Sequence, residues 1–289
     1  MTTKASDSLL MRIVIGTLAT ILFVIIADHA HGPKMPWVFL AILALIGGMA
    51  LWEYYEMTVG MGFRPMIRTG IWSSALFFLA VLLQIGHPSL YFLPAAVLLL
   101  LLITAFVLQL TRDVKDPVSN LAVTIFGFAY IILPLSCILC ITYQFSFGNL
   151  WLIYLVFVTK ITDVGAFIVG KTMGKHLLAP TVSPKKTIEG AIGGFVFAIG
   201  LSLAILFYYD HATSVGPFNT PLLVEALILG IIISALAQLG DLSESLLKRN
   251  AGIKDSSRLP GLGGVLDIMD SLIFTAPALY VYLLIVADK

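Results

Sequence analysis

Hydrophobic residues in this chain come in long unbroken runs, separated by short polar stretches. About 20 apolar residues at about 1.5 Å each span the roughly 30 Å hydrocarbon core of a bilayer as a helix. Nine such runs can be read, at roughly 9–28, 36–59, 70–86, 89–110, 119–142, 149–169, 188–209, 222–240 and 265–287. No alternating segments of about 10 residues are present, which excludes a transmembrane β-barrel. The pattern predicts an all-α polytopic membrane protein of about nine transmembrane helices. The first run is too long, and too poorly followed by small residues, for a removable signal peptide. It is expected to be retained.

Composition supports this and adds an orientation. Hydrophobic residues make up 59% of the 289 and charged residues only 11%, with mean hydropathy +1.01, where a soluble domain carries about a quarter charged. With the N-terminus cytoplasmic, fourteen lysines and arginines fall on the inner side: Lys4, Arg12, Arg64, Arg68, Arg112, Lys115, Lys171, Lys175, Lys185, Lys186, Lys248, Arg249, Lys254 and Arg258. Lys34 and Lys289 fall outside, and Lys160 lies within a span. That asymmetry obeys the positive-inside rule over every crossing. The chain divides into N-terminal transmembrane helices, 1–148, and a C-terminal catalytic region, 149–289, with cytoplasmic loops at 170–187 and 241–264. Beyond the clustering of cations on one face, nothing points to nucleic acid.

Two motifs are decoys. Gly165–Thr172 matches the phosphate-loop pattern, yet its middle residues end a transmembrane helix whose N–H groups are already bonded. Cys137 and Cys140 form a C-x-x-C inside the fifth span, where packing is the expected role of both thiols.

The residues suited to chemistry are concentrated between Gly240 and Ser271, which hold four aspartates, one glutamate, two lysines and two arginines. If a helix continues through Arg249, then Asp241, Ser245 and Lys248 share one face, with Glu244 on much the same side. Asp267 and Asp270 share a face at the start of the ninth span. Carboxylates converging from two helix ends beside cations suit a divalent metal holding phosphates. A salt-bridged, solvated loop would explain the same charges. Ser183, as N-cap before Pro184, reads as a helix start. Lys185 and Lys186 in its first turn suit a bound anion or ordinary positive-inside flanking. Gly190 and Gly193-Gly194 permit close helix packing. Lys160 and Asp163 either neutralise each other or line a polar cavity. Glu53 and Glu56 are weaker candidates at the membrane interface, and the five histidines form no cluster.

The run Ser245-Leu-Leu-Lys-Arg, Lys254-Asp255, Pro260-Gly-Leu-Gly-Gly264 and Asp267-x-x-Asp270 resembles the signature of the phosphatidate cytidylyltransferases (CDP-diacylglycerol synthases). Asp163-Val-Gly-Ala-Phe and Ser183-Pro-Lys-Lys-Thr-Ile-Glu-Gly190 are similar to that family too. There are three departures. Leu262 stands where the family has histidine, Ile268 where it has arginine, and the Asp255–Pro260 loop is one residue shorter. Every aspartate is retained. The resemblance implies that CTP and phosphatidate give CDP-diacylglycerol and pyrophosphate with Mg2+, in a multi-pass protein of the inner (cell) membrane whose site faces the cytoplasm. It implies Asp241 and Asp267 as first metal ligands, with Asp270 and Asp255 behind them. Lys248, Arg249 and Lys254 would neutralise the triphosphate; Asp163, Ser183, Lys185, Lys186 and Thr187 would hold substrate phosphate. The expected partners are CTP, phosphatidate in the membrane and a second copy of the chain in a homodimer. A CDP-alcohol phosphotransferase is disfavoured, because Asp270 is followed by Ser271 and not by glycine. A lipid-translocating or transport protein, and a catalytically impaired family member, remain the alternatives.

Overall fold

In a bilayer every backbone polar group must be bonded internally, so apolar runs of this length fold as helices. The computed structural model describes residue 32 and residues 34–111, 116–213, 222–253 and 264–286. Its helices are α1 (Met35–Gly60), α2 (Ile67–Gly86), α3 (Leu93–Leu110), α4 (Pro117–Gly127), α5 (Leu133–Gln144), α6 (Gly148–Met173), α7 (Ile188–Thr213), α8 (Leu222–Asn250) and α9 (Val265–Val286). A short 3-10 turn, Pro88–Leu90, leads into α3, and a π-helical turn, Phe128–Ile132, joins α4 to α5. Pro134 has no N–H to bond back to the preceding turn, which accounts for the widened helix there. Pro36, Pro94 and Pro117 stand in the first turns of their helices, where the missing N–H costs nothing.

Among the described residues eight helical segments are long and apolar enough to cross a membrane, with α4 and α5 forming one of them. They match eight of the nine expected spans; the ninth, 9–28, lies outside the described residues. Successive crossings bring the C-terminal ends of α1, α3, α6 and α8 to the same face as the N-terminal ends of α2, α4, α7 and α9.

Two local expectations are corrected. The expected loop from 241 onward is helical to Asn250, because nothing from Asp241 to Asn250 breaks a helix. Gly252 ends it at φ +69°, with Ile253 N–H donating to Lys248 O and Gly252 N–H to Arg249 O. That left-handed residue suits glycine. At 29 residues, α8 is about 43 Å long, so its polar end extends about 13 Å past a 30 Å hydrocarbon core. Second, Ser183-Pro184 does not start a helix. Leu177–Ala179 (β1) and Ser183–Thr187 (β2) pair as an antiparallel hairpin, with Leu177 opposite Thr187. The helix start passes to Thr187, whose hydroxyl accepts the N–H of Gly190 at 3.1 Å. Lys185 and Lys186 therefore precede the helix and do not oppose its dipole from within.

The core runs continuously through both halves, from Phe39 and Leu43 to Leu279 and Leu283. α6 and α7 approach through Gly190, Gly193 and Gly194, as the small-residue pattern predicted, and through Gly165 and Gly170 on the facing helix. Gly165–Thr172 is continuous helix, and Cys137 and Cys140 are free thiols within α5.

Candidate functional site

The site is assembled from the polar ends of α6, α7, α8 and α9, with one residue from α1. α8 and α9 cross with almost no space between their backbones: a Cβ on Gly240 would lie 2.4 Å from the carbonyl oxygen of Asp270. Glycine is required there, and the contact sets Asp241 against Asp270. One turn on from Asp241 comes Glu244, 1% exposed. Carboxylate oxygens of Asp241, Glu244 and Asp270 all lie within 4.8 Å of one another. Asp163 of α6 is within electrostatic range of Asp241 and Asp270.

Cations interleave with this cluster. Lys186, from β2, places Nζ 2.7 Å from Asp241 Oδ2, as an ion pair that is not aligned as a hydrogen bond. Lys248, its side chain only 14% exposed, places Nζ 2.5 Å from Glu244 Oε2 and 2.8 Å from Asp267 Oδ1. The other Glu244 oxygen, Oε1, is buried and takes no hydrogen bond among the described residues. A buried carboxylate oxygen left without a donor is costly, and a cation would relieve it. Lys160 makes no ion pair with Asp163 among the described residues; its ammonium donates to Ile268 O at 3.3 Å.

A cavity of about 420 Å³ opens beside the trio, within the range of small-molecule sites. Its polar lining is Asp163, Asp241, Gln238, Thr187, Lys171, Lys185 and Lys186, with Phe167 and Leu178 among its apolar walls. Asp241 belongs to both the cavity and the carboxylate trio. The hairpin carrying the lysines is held at both sides. Glu189 accepts the N–H groups of Lys175 and His176 and meets the His176 ring at 2.6 Å. Arg249 Nε donates to Val182 O.

Most of the residues predicted from sequence meet here, with altered parts. Asp163, Lys185, Lys186, Thr187 and Asp241 line the cavity, and Asp270 joins the trio. Asp267 does not join it: one oxygen faces Lys248 and the other accepts the N–H of Gly264 at 2.9 Å. Ser183 begins β2 opposite Ala179 and is not among the lining residues. Arg249 is exposed and occupied with the hairpin. Lys254, Asp255, Arg258 and Leu262 lie outside the described residues.

Three further contributors are Glu244, which the sequence places beside Asp241 without naming it a ligand, Glu53, a weaker candidate there, and Gln238, which has no role from sequence. Glu244 was visible by its i, i+3 spacing from Asp241. Gln238 is one turn before Asp241. Glu53 of α1, 4% exposed, accepts the N–H groups of Val265 and Leu266, each at 2.9 Å. No spacing rule connects it to residues more than 200 positions away.

The sequence profile described as "Cytidylyltransferase family" matches residues 10–286. A phosphatidate cytidylyltransferase of Chlamydia pneumoniae is 27% identical over an alignment of 297 positions, which covers 99% of this chain and 96% of that protein. Phosphatidate cytidylyltransferases of Staphylococcus haemolyticus and Staphylococcus aureus are 44% and 43% identical over 140 and 142 residues. Those alignments cover 48% of this chain and 51% of each staphylococcal protein, about half its length.

Proposed function

The chain belongs to the cytidylyltransferase family, and from that premise we propose that it transfers the cytidylyl group of CTP to phosphatidate. A phosphate oxygen of the membrane-held lipid attacks the α-phosphorus of CTP. The bond from that phosphorus to the bridging oxygen of the β-phosphate breaks. Pyrophosphate leaves with the electron pair, and CDP-diacylglycerol forms. Such a reaction needs reactants held in line and charge stabilised more than it needs covalent help from protein. The observation that carries the reading is the meeting of Asp241, Glu244 and Asp270 beside a cavity that Asp241 lines together with Lys171, Lys185 and Lys186.

Each part of the site then has a task. Lys185, Lys186 and Lys171 neutralise phosphate oxygens in the cavity, with the Thr187 hydroxyl beside them. Lys186 exchanges Asp241 for phosphate as substrate enters. Lys248 holds Glu244 and Asp267 in place from below, and Asp267 in turn caps the start of α9. Arg249 steadies the hairpin that carries the lysines. The face rich in lysine and arginine is cytoplasmic in this reading, so that CTP reaches the cavity from water and the lipid from the bilayer.

The carboxylate trio fits Mg2+. Its donors are all oxygen, as a hard divalent cation prefers, and Glu244 Oε1 is a buried acceptor without a donor. Asp241, Glu244 and Asp270 would hold the ion, which when bound supplies positive charge next to the phosphates of CTP.

The test is purified protein with labelled CTP, phosphatidate and Mg2+, with CDP-diacylglycerol as readout. The expected result is product from the wild type and its loss in Asp241→Asn and Asp270→Asn. Well-folded wild type that forms no product overturns the activity, and variants that retain full rate overturn the carboxylate assignment.

A further inference from the structure

We propose that Glu53 is a positioning residue that sets the catalytic carboxylates of α9 from the other half of the chain; this rests on the cytidylyltransferase reading. A helix begins with N–H groups that have no partner within it. At the start of α9, the Gly264 N–H is taken by Asp267, and the next two, of Val265 and Leu266, are both taken by Glu53. Glu53 is 4% exposed, on the inward face of α1. Burying a carboxylate there is tolerable because two charge-assisted hydrogen bonds and the positive end of a helix receive it.

Hydrophobic contact alone would not do this work. Leu266, Met269, Leu272 and Ile273 dock α9 against the core, but apolar burial is non-directional and fixes neither rotation nor height of a helix to fractions of an ångström. A clasp on two successive N–H groups does fix both. Asp270 follows Val265 by about 1.4 turns, so the clasp sets the direction in which Asp270 leaves the helix. Lys160 on Ile268 O and Lys248 on Asp267 hold the same turn from α6 and α8. Glu53 is the contribution of the N-terminal half to that turn.

Three measurements on the full-length protein test this, with Glu53→Gln and Glu53→Ala. Gln keeps one acceptor and turns an NH2 toward the second N–H, so it preserves packing while halving the clasp. Expected are a roughly 10–100-fold fall in kcat with little change in KM for CTP, and a comparable weakening of Mn2+ binding read by electron paramagnetic resonance without substrates. Amide exchange across 265–270 is expected to accelerate. A purely structural role would lower the melting temperature but leave kcat per folded molecule and Mn2+ affinity at wild-type values; that result overturns the proposal. If Glu53→Ala fails to fold, Glu53→Gln decides. If the wild type makes no CDP-diacylglycerol, the activity reading fails, and Mn2+ binding with amide exchange still decides the role of Glu53.

Discussion

Helices α6 to α9 are tied together by buried polar side chains at both ends, and the two ties are built differently. At the end away from the cavity, the hydroxyls of Tyr154 and Ser202 lie 2.6 Å apart, and Ser202 donates to Ala226 O at 2.8 Å. Trp151 meets Tyr154 and Tyr282 edge-on, and the buried Glu225 lies beside Tyr282. That knot is mostly neutral, and the hydroxyls of Tyr154 and Ser202 find partners within the protein. At the other end the ties are ions: Lys186 to Asp241, and Lys248 to Glu244 and Asp267. There carboxylates and ammonium groups interleave, Glu244 Oε1 has no donor, and a cavity adjoins. The charged end, where carboxylates and ammonium groups converge beside a cavity, is the candidate for chemistry.

The contrast predicts unequal responses. Asp270→Asn and Asp241→Asn keep shape but remove charge from the trio. Each is expected to lower CDP-diacylglycerol formation by roughly 10²–10³-fold, the scale of losing one preorganised electrostatic group, with little change in melting temperature. If both variants melted early and kept their rate, the charged end would be the structural one and the comparison would invert. Lys248→Met comes next, and should damage both properties. It leaves Glu244, 1% exposed, facing Asp267 without a cation between them. A destabilisation of about 3 kcal/mol is expected, read as a lower denaturation midpoint in detergent, together with a fall in rate. Lys248→Arg should recover most of the stability.

How much of this was legible in the sequence follows from the range of the interactions involved. The spans were readable because bilayer thickness imposes a length on every apolar run. Asp241, Asp270 and Glu244 could be placed on two helix faces by spacing alone. Helix spacing could not say which carboxylate of the Asp267–Asp270 pair enters the trio, because that depends on the rotation of α9. Glu53 and the Gly240 contact set that rotation, through pairings distant in sequence. The hairpin at 177–187 was hidden for another reason. Ser183-Pro184 satisfies the local rule for a helix start, but Thr187 satisfies it too, and pairing of Leu177 with Thr187 decides between them.

Gly240→Ala tests the same dependence of the site on helix approach. The added methyl would stand 2.4 Å from a backbone oxygen, which cannot swing aside as a side chain can. α8 and α9 must part near Asp270, at a cost of about 1–3 kcal/mol for overpacking. Carboxylates held within 4.8 Å then separate, so the rate should fall along with the melting temperature and Mn2+ should bind less tightly. Intact Mn2+ affinity in Gly240→Ala would mean that the trio tolerates displacement and that the crossing matters for packing alone.

The smallest effect is expected from the closed end. Tyr154→Phe removes the hydroxyl that meets Ser202, but Ser202 keeps its bond to Ala226 O, so no donor is stranded. The ring remains packed against Trp151. The loss should be about 1 kcal/mol, the net worth of one hydrogen bond, measured as a small shift of the denaturation midpoint. CDP-diacylglycerol formation and Mn2+ affinity should stay at wild-type values, since nothing at that end touches the cavity. A marked loss of rate in a folded Tyr154→Phe protein would mean that the two ends are coupled through the helices, and that the neutral knot is part of the machinery after all.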